Sequence, residues 1–219
     1  MPSPERTERR SSSVFSHLVG SDSYIFDDFT KKQLDTFTRV AAELEAGLEY
    51  KVIKHILNSA GIERFTDYQM DMVRLGIGLY GVSASGQKGL RNISTLKTTI
   101  LQIQNVPAGD SIGYSRMSYV KRDSRIAIIP IGYADGLDRH FSNGGGEVVI
   151  NGHRCPIIGN ICMDACMIDV TDTDAHEGDS VIIFGEELPV SELSDKLKTI
   201  PYEILTSISP RVKRVYYRE

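Results

Sequence analysis

The sequence has no run of basic residues; its 25 Lys and Arg are spread among 29 Asp and Glu, for a formal charge of −4. Nucleic-acid binding needs a concentrated cationic face, so nucleic acid is excluded as the main ligand and a small molecule or a protein is expected instead. No stretch approaches the ~18 consecutive apolar residues of a membrane span, and the opening MPSPERTERRSSS lacks the apolar segment of a secretory signal. The expectation is a cytoplasmic protein with no membrane partner. Cysteine is scarce. Cys155, Cys162 and Cys166 are odd in number, and their spacing in CPIIGNICMDAC matches neither a zinc site nor a redox CxxC pair, so they read as reduced, structural thiols. Metal-loop spacing is also missing: Asp135, Asp138, Asp164 and Asp169 fit no cation-binding loop, and no metal is expected. The glycines at 144–146 form a turn without the strand-then-helix setting of a phosphate loop.

What is present suits an ordinary globular protein, with 41% apolar and 25% charged residues in a chain of 219. Residues 1–13 carry Ser, Pro, Arg and Glu without periodicity and read as a disordered tail. In TKKQLDTFTRVAAELEAG, Leu34, Phe37, Ala41 and Leu44 recur on one helical face. Thr30 and Gln33 have capping-box spacing there, and Gly47 supplies a stop. LEYKVIKHIL alternates like a strand, a short helix is suggested around Asp67 to Met72, and MVRLGIGLYG reads as a further strand. Up to about residue 85 the pattern is α/β. Beyond the SASGQKG linker, ISTLKTTILQIQ, RIAIIPIGY, GEVVI, PIIGN, CMIDV and SVIIFG are short, β-branched-rich and bounded by Gly, Asn or Asp, which predicts a mostly β domain. Asn151-Gly152 marks a hairpin. PVSELSDKLKTI and PYEILTSI read as helices and RVKRVYY as a last strand.

Several residues are candidates for chemistry. HILNSAG places His55, Asn58 and Ser59 at the end of a predicted strand, where β/α folds face their ligands. Ser59 is either a helix cap or part of a phosphate site, and His55 either a catalyst or a satisfied structural residue. Arg74 lies in an apolar run. If buried, it needs a carboxylate or a ligand as partner; the alternative is an exposed strand face. Gly76 and Gly78 allow close backbone approach on the same run. Tyr114 in GYSRMS and Tyr133 in GYADG read, taken alone, as amphipathic residues at strand ends. A tyrosine becomes a proton acceptor only if its pKa of about 10 is drawn down by positive charge or hydrogen bonds. ICMDACM, with Met163, reads alone as a strand alternating core and surface.

Taken together and in order, HILNSAG, MVRLGIGLYG, GYSRMSY, IPIGYADG, GNICMDACM and SISPRVKRVYY resemble the C-terminal part of the alanine racemase family over about residues 14–219. The resemblance implies the last part of a (β/α)8 barrel that binds pyridoxal 5′-phosphate, residues 14–85, followed by a β domain, residues 90–219. It also implies a head-to-tail homodimer acting on alanine to supply D-alanine for cell-wall precursors. Residue by residue, Tyr114 matches the catalytic tyrosine that accepts the proton of L-alanine and reaches into the partner subunit's site. Met163 matches the residue whose backbone meets the substrate carboxylate, and Tyr133 the tyrosine lining the mouth of the site. Ser59, Gly76 and Ile77 match phosphate-binding positions. Arg74 matches the arginine facing the pyridine nitrogen, His55 the histidine supporting that arginine, and His17 the histidine beside the cofactor ring.

The sequence also departs from the family. The lysine that binds the cofactor, in a motif like VVKANAYGHG, does not occur in these 219 residues, and Lys51, Lys54 and Lys97 are not in equivalent places. The barrel's substrate-binding arginine is missing as well. Pro210 stands where many members have a tyrosine bonded to the cofactor phosphate. The expectation is therefore an alanine racemase sequence lacking its N-terminal half and inactive as a single polypeptide. Rival readings are a non-catalytic dimerisation or regulatory β module, or the tail of a ligase–racemase fusion.

Overall fold

The computed structural model describes residues 10–86, 89–116 and 118–217, in two units, Met1–Arg91 and Asn92–Glu219. In the first, strand β1 (Ser13–Phe15) leads through helix α1 (Asp27–Leu48) to strand β2 (Ile53–His55) and helix α2 (Ser59–Arg64). β1 and β2 are parallel, with Ser13 opposite Ile53 and Phe15 opposite His55. Parallel neighbours require a crossover, and α1 supplies it. Of the expected tail, residues 1–9 lie outside the described residues; Ile53 donates to the Ser12 carbonyl, and Ser13 opens β1.

Thr30, Leu34, Phe37 and Ala41 of α1 are buried, the i, i+4, i+7 spacing that turns one stripe inward. They pack on Leu18, Ile56, Leu57 and Phe65. The expected capping box is not formed. The helix starts earlier, at Asp27, where Asp27 and Asp28 complement the positive end of the dipole. Thr30 is inside the helix, and Gln33 instead donates to the His17 carbonyl at 2.6 Å. Nor does Gly47 end the helix; the left-handed residue is Glu49, at φ 60°. The end is tied down by Glu45, whose carboxylate accepts from Lys51, Lys54 and the Val52 amide.

Two further expectations fail in this unit. Only Ile53–His55 of LEYKVIKHIL is strand, because β1 offers a partner to those residues alone. MVRLGIGLYG forms no described strand. The chain enters it alongside β2 and its continuation, through the preceding Asp71 amide to the Lys54 carbonyl and the Arg74 amide to the Leu57 carbonyl. At Gly76 (φ −100°, ψ −102°) it then breaks into a 3₁₀ turn, Ile77–Tyr80.

The second unit is built on antiparallel strands: β3 (Leu96–Thr99), β4 (Gln102–Val106), β5 (Ser111–Ile112), β6 (Ser118–Tyr119), β7 (Ser124–Ile129), β8 (Glu147–Ile150), β9 (His153–Ile158), β10 (Cys166–Asp169) and β11 (Ser180–Phe184). β5 and β6 form a small hairpin of their own; the others follow the order β3-β11-β8-β9-β10-β7-β4. β3 and β4 stand at opposite ends of that order, yet only Ile100 and Leu101 separate them. The Ile100 amide bonds to Asp179 and the Leu101 amide to Ile128, so the sheet curls until its edges approach each other. Inward residues Ile129, Val148, Ile150, Ile157, Ile168, Val181 and Ile183 fill the interior. Helices α3 (Val190–Leu197) and α4 (Pro201–Ser207) follow as expected. Residues 211–217 of RVKRVYY are not strand, and Tyr216 and Tyr217 stand exposed. The fold is thus α/β followed by a mostly β domain, as the patterning predicts. Among the described residues, no helix is long and apolar enough to cross a membrane.

The β8–β9 hairpin turns at Asn151 (φ 50°) and Gly152 (φ 77°), with Ile150 opposite His153. Both central residues are left-handed, the requirement of a type I′ turn. Gly152→Ala puts a Cβ into that conformation and is expected to cost about 1–2 kcal/mol, read by urea denaturation; unchanged stability would mean that the turn does not hold this register.

Candidate functional site

In the first unit the chemistry gathers around Arg74. Its guanidinium donates to His55 Nδ1 at 2.6 Å, to the Ser16 carbonyl at 2.7 Å, to His17 Nδ1 at 3.2 Å and to the His55 carbonyl at 3.2 Å. Among the described residues, no carboxylate lies within ion-pair distance of it. An arginine only donates, so both imidazoles must present a lone pair at Nδ1 and carry their proton on Nε2. His55 is buried and its pKa lies below the ordinary 6.5, first because burial disfavours its cation and then because Arg74 repels it. Phe15 stacks on His55, with ring centres 5.3 Å apart and planes 7° from parallel, and its ring lies 5.5 Å from the Arg74 guanidinium carbon. Sequence reasoning missed Phe15, since an aromatic on a short strand carries no distinguishing pattern.

Next to this cluster, α2 begins. Asn58, not Ser59, is its cap: its Oδ1 accepts from the Gly61 amide at 3.0 Å and from the Ser21 hydroxyl at 2.9 Å. Ser59 is buried, and its hydroxyl accepts from the Gly76 amide at 2.9 Å and the Gly78 amide at 3.4 Å. Ile77 is buried between those glycines. A hydroxyl and backbone amides brought to one point form a donor set suited to a phosphate. Lys51 and Lys54, by contrast, are both paired with Glu45.

In the second unit, Tyr114 sits at the tip of the β5–β6 hairpin and is 73% exposed. Gly113 (φ 75°), Ser115 (φ 61°) and Arg116 (φ 51°) are all left-handed, an accumulation of strain that the surroundings must hold. Arg116 Nε donates to Ser111 within the hairpin. A Cβ on Gly113 would lie 3.5 Å from the Asn160 amide nitrogen, so the tip packs on the loop that leads to Met163. Asn143 links the two: it accepts from Ser118 and donates to Asn160. Tyr133 and Met163 are both exposed and lie on adjoining turns, where the Tyr133 amide donates to Cys162 and the Ala134 amide to Met163, each at 3.1 Å. The turns are so close that a Cβ on Gly132 would lie 2.3 Å from the Cys162 carbonyl oxygen. Arg211 reaches both turns, bonding Asp135 at 2.7 Å and Asp164 at 2.6 Å. Neither Asn143 nor Arg211 carries a sequence signal. The cysteines are unpaired; burial first pushes the Cys155 thiol up to about 11 and that of Cys166 up to about 12, as suits inert core thiols. Among the described residues there is no metal-binding cluster.

The alanine racemase C-terminal domain family matches residues 93–216, and the alanine racemase N-terminal domain family matches residues 5–84. The chain belongs to the alanine racemase family. Alanine racemase 2 of Caldanaerobacter subterraneus subsp. tengcongensis is 42% identical over 212 residues, covering 93% of this chain and 54% of that protein. The alanine racemase of Bartonella henselae, solved with covalently bound pyridoxal phosphate, superposes with a TM-score of 0.84 at 37% identity, over 94% of this chain and 56% of the other. That of Streptomyces coelicolor gives 0.88 at 30% identity, over 96% and 57%. The chain spans about half the length of the curated relatives it matches. Its fold is part of the family's N-terminal β/α barrel domain followed by the family's β domain.

The neutral state of His55 sets a pH dependence. Below about pH 6.5 the unfolded chain takes up a proton that the folded chain refuses, so folding stability falls as pH drops through that range. His55→Asn keeps an acceptor for Arg74 but cannot titrate. The loss of stability between pH 7.5 and 5.5, measured by urea denaturation, is expected to be larger in the wild type than in this variant; identical slopes would contradict the assignment.

Proposed function

We propose that these residues supply the C-terminal share of a pyridoxal phosphate-dependent alanine racemase, interconverting L- and D-alanine in the cytoplasm for cell-wall precursor synthesis. The observation that carries this reading is the Arg74–His55 pair at 2.6 Å, a guanidinium held by neutral imidazole instead of carboxylate, in a chain of this family. Bound pyridoxal phosphate would supply an electron sink that makes the α-hydrogen of the amino acid acidic.

The chain's own residues would hold that group and move the proton. The Ser59 hydroxyl and the backbone at Gly76 and Ile77 would take the phosphate, and the converging donors around Ser59 support that fit. Arg74 would face the pyridine nitrogen and, since a guanidinium does not give up its proton, would leave that nitrogen unprotonated and temper the electron sink. His55 would fix Arg74, and His17 would lie beside the ring. Tyr114 would take the α-proton on the L-alanine face and return it in the reverse direction, its exposed hairpin tip reaching the partner subunit's site in a head-to-tail homodimer. The Met163 backbone would bind the substrate carboxylate and Tyr133 would line the mouth. The base on the opposite face would be the family's cofactor lysine, which is not among these 219 residues. An additional segment must therefore provide it.

The exposed apolar face of the first unit supports such a segment. Phe15 is 66% and Phe29 54% exposed beside β1, which among the described residues pairs with β2 alone, and parallel strands are ordinarily covered on both faces. The test combines the purified chain with a separately expressed barrel segment of a relative that carries the lysine, adds pyridoxal phosphate, and follows loss of optical rotation of L-alanine. Racemisation is expected only with both polypeptides. None, despite a folded complex with cofactor bound, would instead support a non-catalytic β-domain module. In the reconstituted enzyme, Tyr114→Phe is expected to slow α-proton removal from L-alanine by about 10²–10⁴-fold while cofactor affinity stays near the wild-type value. Equal loss of both would overturn the role given to Tyr114.

A further inference from the structure

Arg211 lies outside every site discussed above except as a link, and its geometry gives it a distinct part. Its Nε bonds Asp135 and its NH2 group bonds Asp164. Asp135 closes the turn that begins at Gly132 and carries Tyr133, and its second carboxylate oxygen accepts from the Gly132 amide at 2.9 Å. Asp164 directly follows Met163. One guanidinium therefore grips both turns at once, each within two residues of a candidate substrate-facing residue. The segment bearing Arg211 is itself anchored: the Ser209 amide donates to the Asp135 carbonyl at 3.0 Å, and a Cβ on Gly136 would lie 2.5 Å from the Ser207 carbonyl oxygen. Pro210, with its fixed φ, immediately precedes the arginine.

Backbone contact between the two turns runs through the Tyr133 and Ala134 amide bonds and the close approach at Gly132. Asp135 is 13% exposed and Asp164 64%, so the inner arm of the clamp is shielded and the outer arm is open to water. Burial alone would raise the Asp135 pKa, but Arg211 and the Gly132 amide outweigh it and hold the carboxyl below its ordinary range. Without Arg211, two unneutralised carboxylates would flank the peptide at Met163, where an anionic substrate group would have to dock.

We propose that Arg211 is a positioning residue that fixes the Tyr133 turn against the Met163 turn and offsets the negative charge beside them. The functional half of this rests on the reading of Met163 and Tyr133 given above; the structural half does not.

The test is residue-resolved amide exchange on the full 219-residue chain. Arg211→Gln is expected to speed exchange at Gly132, Tyr133 and Ala134 by about tenfold, with Ile128 and Ile168 in the sheet unchanged. Arg211→Lys is expected to recover part of the protection. Asp164→Asn, a change at an exposed side chain that leaves the inner arm intact, should speed exchange at Tyr133 and Ala134, which bond the Cys162 and Met163 carbonyls, while Gly132, held by Asp135, stays protected; it guards against a variant that fails to fold. Uniform acceleration through the sheet, or no change at Tyr133 and Ala134, would overturn the proposal. In the two-polypeptide enzyme, Arg211→Gln should raise KM for alanine by about fivefold or more while kcat stays within about twofold; a lowered kcat at unchanged KM would overturn the charge-offsetting part. If the wild-type combination shows no racemisation, the racemase reading falls, while the exchange comparison still decides whether Arg211 holds the turns.

Discussion

The first unit depends on a cation that, among the described residues, has no anion. Arg74 takes two imidazole nitrogens and the carbonyls of Ser16 and His55. Neutral acceptors satisfy its hydrogen bonds and leave its charge undiminished. That choice constrains its neighbours. His55 must stay deprotonated at Nδ1, Phe15 must cover the imidazole face, and the chain at Ser16 and His17 must pass close enough to offer the Ser16 carbonyl and the His17 ring. The short parallel pair β1–β2 brings Phe15 and His55 into register. A carboxylate partner would have made Arg74 an ordinary structural ion pair; histidine keeps it available to polarise whatever lies beside it.

The second unit solves a different problem, that of placing exposed side chains with accuracy. Tyr114, Tyr133 and Met163 are all on loops and all exposed, so packing does not fix them. Backbone does. Gly132 allows its turn to meet the Cys162–Met163 backbone with no room for a Cβ, and Gly113 seats the hairpin tip on the Gly159–Asn160 backbone. Asn143 and Arg211 then add side-chain links from opposite sides. Exposed residues are thus carried on a curled sheet, the usual way a fold presents function on loops.

How much of this the sequence discloses follows from the kind of signal each part leaves. The β domain is legible because its strands are β-branched runs separated by Gly, Asn and Asp, and Asn151-Gly152 names its own turn. The stripe Leu34, Phe37, Ala41 is legible for the same reason: it is periodic. MVRLGIGLYG misleads, since an apolar run reads as strand whatever it pairs with, and Gly76 turns it instead. Thr30 and Gln33 have the right spacing for a cap, but the aspartates at 27 and 28 extend the helix past them. Ser59 reads as a cap, yet the helix begins at Ser59 itself, so Asn58 holds the cap position and the Ser59 hydroxyl is left to Gly76 and Gly78. Arg74 is legible as an anomaly, a charge in an apolar run. Its partners are not legible from pattern alone, because two histidines distant in sequence converge only through β1, β2 and the segment after them; the family resemblance names His55 as its support but does not show that His17 joins it. Arg211 and Asn143 are invisible for a related reason: a polar residue near the surface acquires meaning only from what folding sets beside it.

Arg74 and Arg211 show how the same side chain serves opposite electrostatic ends. Arg211 is paired with two carboxylates, so its charge is neutralised locally and what remains is geometry: two turns tied together. Arg74 has its hydrogen bonds met by uncharged atoms, so its geometry is fixed and its field remains. A guanidinium keeps its charge at ordinary pH, and neither arginine therefore serves as an acid or base. Among the residues assembled here, proton movement is left to groups that titrate, and the imidazole at position 55 is already committed as an acceptor to Arg74. In the reading proposed above, that movement falls to Tyr114, exposed at the tip of the β5–β6 hairpin and carried by a different unit from the cation.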